Sequence, residues 1–226
     1  MTLGHPRVHL RQTGSTNDVA RELAIAGAPH GALVTASEQT AGRGRRGRSW
    51  TAPAGRALLA SVVLRDMPQL LTLRAAVAVA RVCGDDAQIK WPNDVLVGDR
   101  KVAGILCETQ GGEDWAIAGI GINVAVDPAD FPAEIADTAG TLGLEPAAIE
   151  PLLERLLAQF AITLRMDPAD ITTSWNERDA LRGAKVSWDG GSGTAGGIDE
   201  HGRLLVDSGV AQWALDSGEI SLVRSG

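Results

Sequence analysis

Apolar and polar positions change period several times along the chain, and each change marks an expected element. Residues 7–13, RVHLRQT, alternate as a short strand does. Residues 15–27, STNDVARELAIAG, read as a helix, with Ser15 or Thr16 to cap it, Asp18 and Glu22 early and Gly27 to end it. GALVTASEQT (31–40) and ALLASVVLR (57–65) are strands on either side of an arginine–glycine stretch and the turn APAG. Pro68 opens a mostly apolar, buried helix that Gly84 stops. Then come AQIKW (87–91), the turn PND, VLVG (95–98), the tight turn GDRK, VAGILCET (102–109) and WAIAGIGINVAV (115–126). Short strands joined by tight turns predict an antiparallel meander.

Residues 127–145 are rich in Pro and Asp and read as a surface loop. Helical periodicity returns over 146–166, with a second short helix around 170–180. The remainder, AKVSW, GTAGGID, GRLLVD, AQWALD and EISLVR, gives five strands with Gly or Asp turns, the pattern of a small β-barrel. The expected fold class is α+β: a mixed β-sheet domain flanked by helices over 1–181, and a small all-β domain over 182–226.

Composition narrows the function. With 226 residues, 44% of them hydrophobic and 22% charged, the chain reads as a soluble globular protein. Its formal net charge of −7 opposes general attraction to nucleic acid or to an anionic membrane. The two cysteines, Cys83 and Cys107, have no metal-ligand spacing and read as inert core residues. No apolar run approaches the roughly 18 residues of a membrane span, and no signal peptide opens the chain. A reducing cytoplasm is the expected setting.

Against this acidic background, residues 42–48, GRGRRGR, place four arginines and three glycines in seven positions. The glycines spell G-x-G-x-x-G, yet the dinucleotide reading fails, because RSWTAPAG follows and cannot continue as a helix. No P-loop motif occurs. Single-strand RNA binding would call for stacking aromatics, and only Trp50 is adjacent. As a bare solvated turn, the four like charges would repel and leave the loop disordered. A small anionic ligand fits better: glycines let the backbone approach, and guanidinium forks orient carboxylate or phosphate oxygens. Such a loop, closing when filled, would keep a hydrolysable intermediate dry.

Lys90 and Lys101 flank a hairpin among apolar neighbours, Gly104 leaves backbone open to a ligand, and Asp94 could hold Mg²⁺, pair with a lysine or only form the turn. Taken together, STND (15–18), SEQTAGRGRRGRSW (37–50), KWPNDV (90–95), KVAGIL (101–106), GIGIN (119–123) and GIDEHGRLLVDSG (197–209) resemble the biotin protein ligase family over nearly the whole chain. The resemblance implies a mixed-sheet catalytic domain with a small SH3-like C-terminal barrel. It also implies a reaction in which the biotin carboxylate attacks the α-phosphate of ATP, with Mg²⁺, before the biotinyl group passes to a lysine of a biotin carboxyl carrier domain.

Carried over by motif, Ser15, Thr16, Asn17 and Gln39 would line the biotin pocket. Gly42, Arg43, Arg45 and Arg48 would wrap carboxylate and phosphate, and Trp50 would cover the adenylate. Lys101 would bridge both anions and, with Arg45 and Arg48, carry the chemistry. Lys90, Asn93 and Asp94 would support the phosphates, Asp94 as candidate metal ligand. Gly104 and Gly121 would give biotin room against the sheet, and Asn123 would reach the adenine. Larger family members carry an N-terminal helix-turn-helix domain; too few residues precede STND for one here, so a ligase without DNA binding, monomeric or homodimeric and not at a membrane, is expected. The rivals are a lipoate ligase or octanoyl transferase and, from another class, an RNA-binding module using the arginine loop.

Overall fold

The computed structural model describes residues 2–65, 67–112, 114–216 and 218–223. A seven-stranded sheet forms the centre: β1 (Arg7–Leu10), β2 (Leu33–Ala36), β3 (Ala57–Leu64), β4 (Gln88–Lys90), β5 (Asp94–Val97), β6 (Arg100–Thr109) and β7 (Ala116–Asn123). Their order is β1-β2-β3-β7-β6-β5-β4. The meander expected over β4–β7 is present, and every pairing is antiparallel except β1 with β2. That single parallel pair makes the sheet mixed.

Every residue of the central strands β3 and β7 is buried, on both faces, which is why they read as unbroken apolar runs. Leu58, Ala60, Val62 and Leu64 of β3 and Ala118, Ile120 and Ile122 of β7 enter one large core beneath the helices α2 (Leu71–Cys83) and α3 (Ile149–Thr163). The alternate residues Val63 and Ile117 join a smaller core under α1 (Thr16–Ile25), with Ala20 and Ala24. A fourth helix, α4 (Pro168–Asn176), packs Ile171 and Trp175 into the large core.

Two helix starts differ from expectation. α1 does begin after Ser15, but the Ser15 side chain makes no cap bond; Oε1 of Gln39 accepts from Thr16 N at 2.7 Å instead. The cap is supplied from 23 residues away. α2 begins at Leu71 rather than Pro68, since Leu70 adopts a left-handed backbone, φ 61°, that breaks the turn. Inside α2, the buried Arg74 donates to the carbonyls of Gln69, Thr163 and Met166 at 2.5–2.7 Å, tying α2 to the end of α3.

The C-terminal strands β8 (Lys185–Trp188), β9 (Gly191–Ile198), β10 (Leu204–Asp207), β11 (Gln212–Leu215) and β12 (Ser221–Leu222) form a second sheet in the order β11-β10-β9-β8-β12, antiparallel throughout. Arg224, in the last expected strand, lies outside the described residues. Val186, Ala195, Ile198, Leu204, Val206 and Ile220 belong to the same large core as α2. Trp91 Nε1 donates to Gly202 O at 3.0 Å, pinning the β9–β10 turn to the strand end that carries KWPND.

Asp179 lies at this junction, 9% exposed. Its Oδ1 accepts from Leu181 N at 2.8 Å, and its Oδ2 is buried without a partner. Burial pushes its carboxyl pKa up, against the Leu181 bond and the charge of Arg182. The folded state therefore holds this proton more tightly than the unfolded chain, and stability is lost as pH rises from the ordinary carboxylate range through the raised folded value. Asp179→Asn is expected to flatten that part of the pH profile and to raise the thermal midpoint at pH 7 by a few degrees, measured by differential scanning calorimetry from pH 4 to 8.

Candidate active site

Strand alternation builds the floor of the site. On β7 the residues that share a face with Ile117 are Gly119, Gly121 and Asn123; on β3 they are Leu59 and Ser61. α1 covers only the Val63–Ile117 end of this face. The rest, with two glycines in place of side chains, opens into a cleft of about 660 Å³, within the roughly 300–1,000 Å³ of small-molecule sites. Gly104 of β6 faces Gly121 in register.

At one end the start of α1 presents Ser15, Thr16 and Asn17, each 4% exposed. Thr16 Oγ1 donates to Gln39 Oε1 at 2.9 Å. Ser61 Oγ donates to Asn17 Oδ1 at 2.6 Å and lies 2.8 Å from Thr16 Oγ1. Asn17 also explains Gly119, where a Cβ would lie 2.1 Å from Asn17 Oδ1. These groups are fixed before any ligand arrives.

The arginine loop forms the roof. Its two arms pair through Trp50 N to Gly42 O at 2.8 Å and Gly44 N to Arg48 O at 2.7 Å, closed by one tight turn over Arg45–Gly47. Gly42 does not line the cleft. It lies beneath the Trp50 carbonyl, 2.3 Å from where a Cβ would sit, so glycine is what lets the arms meet. Protein carboxylates relieve part of the mutual repulsion expected of the four arginines, at the first and the last. Arg43 bonds Asp18 at 2.7 Å and Glu108 at 3.0 Å, and Arg48 pairs with Glu219 at 3.2 Å.

Arg45 has no carboxylate within ion-pair distance among the described residues. Burial, then repulsion from Arg46 and Arg48, push its pKa down from the ordinary guanidinium value. Arg45 lines the cleft, so its charge faces the space a ligand would occupy.

On the opposite wall Lys101 Nζ lies 2.7 Å from Asp94 Oδ1 and 5.7 Å from the centroid of the Trp50 ring, within cation–π range. Of the readings open to Asp94, this structure realises the lysine pair. The Trp50 indole lies flat on Gly104 and Gly121: a Cβ at Gly121 would be 2.6 Å from Trp50 Cε2, and one at Gly104 3.0 Å from Cζ3. The room these glycines make is thus taken by tryptophan, where the resemblance implied biotin. Asn93 lines the cleft, yet its amide nitrogen is engaged with Ile105 O at 2.7 Å. Asn123, 5% exposed, donates to Gly140 O at 2.9 Å and leaves its buried Oδ1 without a partner. Lys90 stands opposite Asp94 in the β4–β5 register.

Fifteen of the expected residues therefore meet in one cleft, all but Gly42. Sequence patterning missed the wall opposite the loop. Residues 127–145, read as surface, cross over β6 through Lys101 N to Thr138 O at 2.7 Å and Gly140 N to Lys101 O at 2.8 Å, and bring Phe131, Pro132 and Ile135 to the cleft. Ser221 and Leu222 of the second sheet also line it. Among the described residues, no three His, Cys, Asp or Glu side chains are grouped to hold a metal ion.

A family model described as the biotin/lipoate A/B protein ligase family matches residues 9–125, which hold every residue expected at the site. The chain belongs to that family. A model for the biotin protein ligase C terminal domain matches 192–223, over the second sheet. The biotin–[acetyl-CoA-carboxylase] ligase of Paracoccus denitrificans is 34% identical over 239 residues, covering 93% of this chain and 98% of that protein. The bifunctional ligase/repressor BirA of Bacillus subtilis is 44% identical over 152 residues, covering 62% of this chain and 47% of its own, so the match spans about half the length of that relative. A biotin protein ligase from Aquifex aeolicus, solved in complex with biotin and ATP, superposes with a TM-score of 0.81 at 28% identity, covering 98% of this chain and all of that one. Mixed sheet, flanking helices and antiparallel C-terminal sheet all agree with this family's fold.

Gly119 tests the floor. Gly119→Ala is expected to cost about 1–3 kcal/mol in urea unfolding, because the new methyl meets a hydrogen-bonded, buried amide. Gly14→Ala, where nothing lies within 4 Å, is the control and should unfold as the parent does.

Proposed function

We propose that this chain is an ATP-dependent biotin protein ligase, which joins biotin to AMP and then transfers the biotinyl group to a lysine of a biotin carboxyl carrier domain. The observation that carries the reading is one cleft holding Arg45 with no carboxylate partner among the described residues, Lys101 on a neighbouring carboxylate and a glycine floor. Two anions that repel each other must be brought together in the first step, and fixed cations around the reacting oxygens offset that repulsion.

Lys101 exchanges Asp94 for oxygens of the biotin carboxylate and the α-phosphate, while Arg45 closes on the same anions from the roof. A carboxylate oxygen attacks the α-phosphorus and pyrophosphate leaves. The ε-amine of the carrier lysine then attacks the acyl carbon, and AMP departs with the bonding pair of the broken anhydride. The Thr16–Gln39–Asn17 end of the cleft suits the polar ring of biotin, and the free Oδ1 of Asn123 is an acceptor for the adenine amine. Trp50 has to leave the floor or share it with the nucleotide, and its indole is a stacking surface for the base.

Magnesium fits a site in which the nucleotide supplies most of the oxygens: Asp94, beside Lys101 in the cleft, is the carboxylate that would hold it, and among the described residues no cluster of three metal-binding side chains competes for it. When bound, the ion would neutralise phosphate charge. Among the described residues, no helix is long and apolar enough to cross a membrane, and both cysteines are unpaired, with burial pushing their thiols up to about 12.

The family model spans lipoate ligases as well, so lipoate activation is the second reading; the match of the second sheet to a biotin protein ligase domain favours biotin. ATP–pyrophosphate exchange should depend on biotin and not respond to lipoate. The reverse dependence would sink the biotin assignment, and salt-sensitive RNA binding without AMP release would sink the enzyme. Lys101→Ala is expected to slow biotinyl-AMP formation in single turnover by about 10²–10³, the scale for removing one preorganised charge donor.

A further inference from the structure

Glu108 lies at the far end of β6 from Lys101 and does not line the 660 Å³ cleft. Its carboxylate nevertheless gathers three partners. Asn17 Nδ2 donates to Oε2 at 2.7 Å, Arg43 donates to the same oxygen at 3.0 Å, and Arg21 of α1 reaches Oε1 at 3.1 Å. Asp18 completes the group, accepting from Arg43 at 2.7 Å and from Arg21 at 2.9 Å. Two carboxylates thus balance two guanidinium groups around the first arginine of the loop.

Exposed ion pairs of this kind contribute little when each partner is free to wander. Here one partner is not free. Asn17 is 4% exposed, its Oδ1 accepts from Ser61, which is fully buried in β3, and its Nδ2 also donates to Leu106 O at 3.2 Å. The carboxylate of Glu108 is therefore held from below by a buried amide bonded to two core strands, and it holds Arg43 from above. Arg43 is two residues before Arg45, on the arm that pairs with Arg48 and Trp50.

We propose that Glu108 is a positioning residue that bolts the first arm of the arginine loop to the core, and so sets how well the cleft retains the activated acyl-adenylate. Arg43, at the edge of the cleft, then spends its guanidinium on anchoring the roof, which divides the loop's charge between holding the roof and binding the anion. Losing Glu108 leaves Arg21 and Arg43 sharing Asp18 alone, and the roof loosens without any change in the reacting groups. The inference rests on the ligase reading for its functional half and on geometry alone for its structural half.

The test uses the full chain with Glu108→Ala and the volume-conserving Glu108→Gln. In limited trypsin digestion without ligand, cleavage within residues 43–48 should accelerate about fivefold in Glu108→Ala and less in Glu108→Gln, with other cleavages unchanged. After single-turnover adenylation, free biotinyl-AMP should escape at a correspondingly higher rate, while pyrophosphate exchange at saturating biotin and ATP stays within about threefold of the parent and the KM for biotin rises. Folded variants with unchanged loop cleavage would overturn the anchor. Faster cleavage with unchanged escape would overturn the functional half, as would slower exchange at saturation, which belongs to a residue in the chemical step. Should Glu108→Ala not fold, Glu108→Gln decides. Absence of biotin-dependent exchange in the parent would reject the ligase reading instead, with the digestion still deciding the anchor.

Discussion

Four guanidinium groups within seven residues cannot share a closed roof unless counter-charge is built in beneath them. The fold answers this constraint at both ends of the loop, from different parts of the chain. Asp18 and Glu108 take the first arginine and Glu219 takes the last, which leaves the middle pair, Arg45 and Arg46, without an ion-pair partner among the described residues; of the two, Arg45 lines the cleft. Helix α1, strand β6 and the second sheet are thereby drawn to one place. The net charge of −7 and the densest cationic segment in the chain are parts of one arrangement, with acidic groups spent locally to make a positive surface tolerable.

The opposite wall follows similar logic. Lys101 is kept on Asp94 and against the Trp50 ring, so an entering anion competes with a carboxylate and an aromatic face and does not meet a bare ammonium. On the proposed function, ligand entry becomes exchange: Asp94 gives up a partner, and Trp50 leaves its seat on Gly104 and Gly121 or shares it with the nucleotide. The Asn123 Oδ1, buried and without a partner among the described residues, costs stability, a cost that the adenine contact of the proposed function would offset.

Much of this was legible in the chain. The unbroken apolar runs around Leu58 and Ile120 gave the central strands, the tight turn after Val97 gave the meander, and GRGRRGR, KWPND and KVAGIL gave the loop and its lysine. What was not legible shares a physical cause, namely distance along the chain. The cap on α1 comes from Gln39, and no local pattern at Ser15 announces it. The left-handed Leu70 displaced the start of α2 beyond the proline that should have opened it. Residues 127–145 look like loop because they are loop; only the pairing with Lys101 turns them into a wall. Gly104 and Gly121 announced an open sheet face, yet nothing in their spacing could say that Trp50 would be lying on it.

The large core runs without a break from beneath α2 into the second sheet, and the Trp91 indole is fastened to the Gly202 carbonyl at the seam. Cutting the chain at that seam would strip Val186, Leu204 and Val206 from their neighbours and leave a raw oily flank on the helix layer. The C-terminal strands are thus better regarded as a buttress than as an appendage. A shortened protein that fails to work would be reporting a collapsed foundation before it reported anything about what those strands recognise.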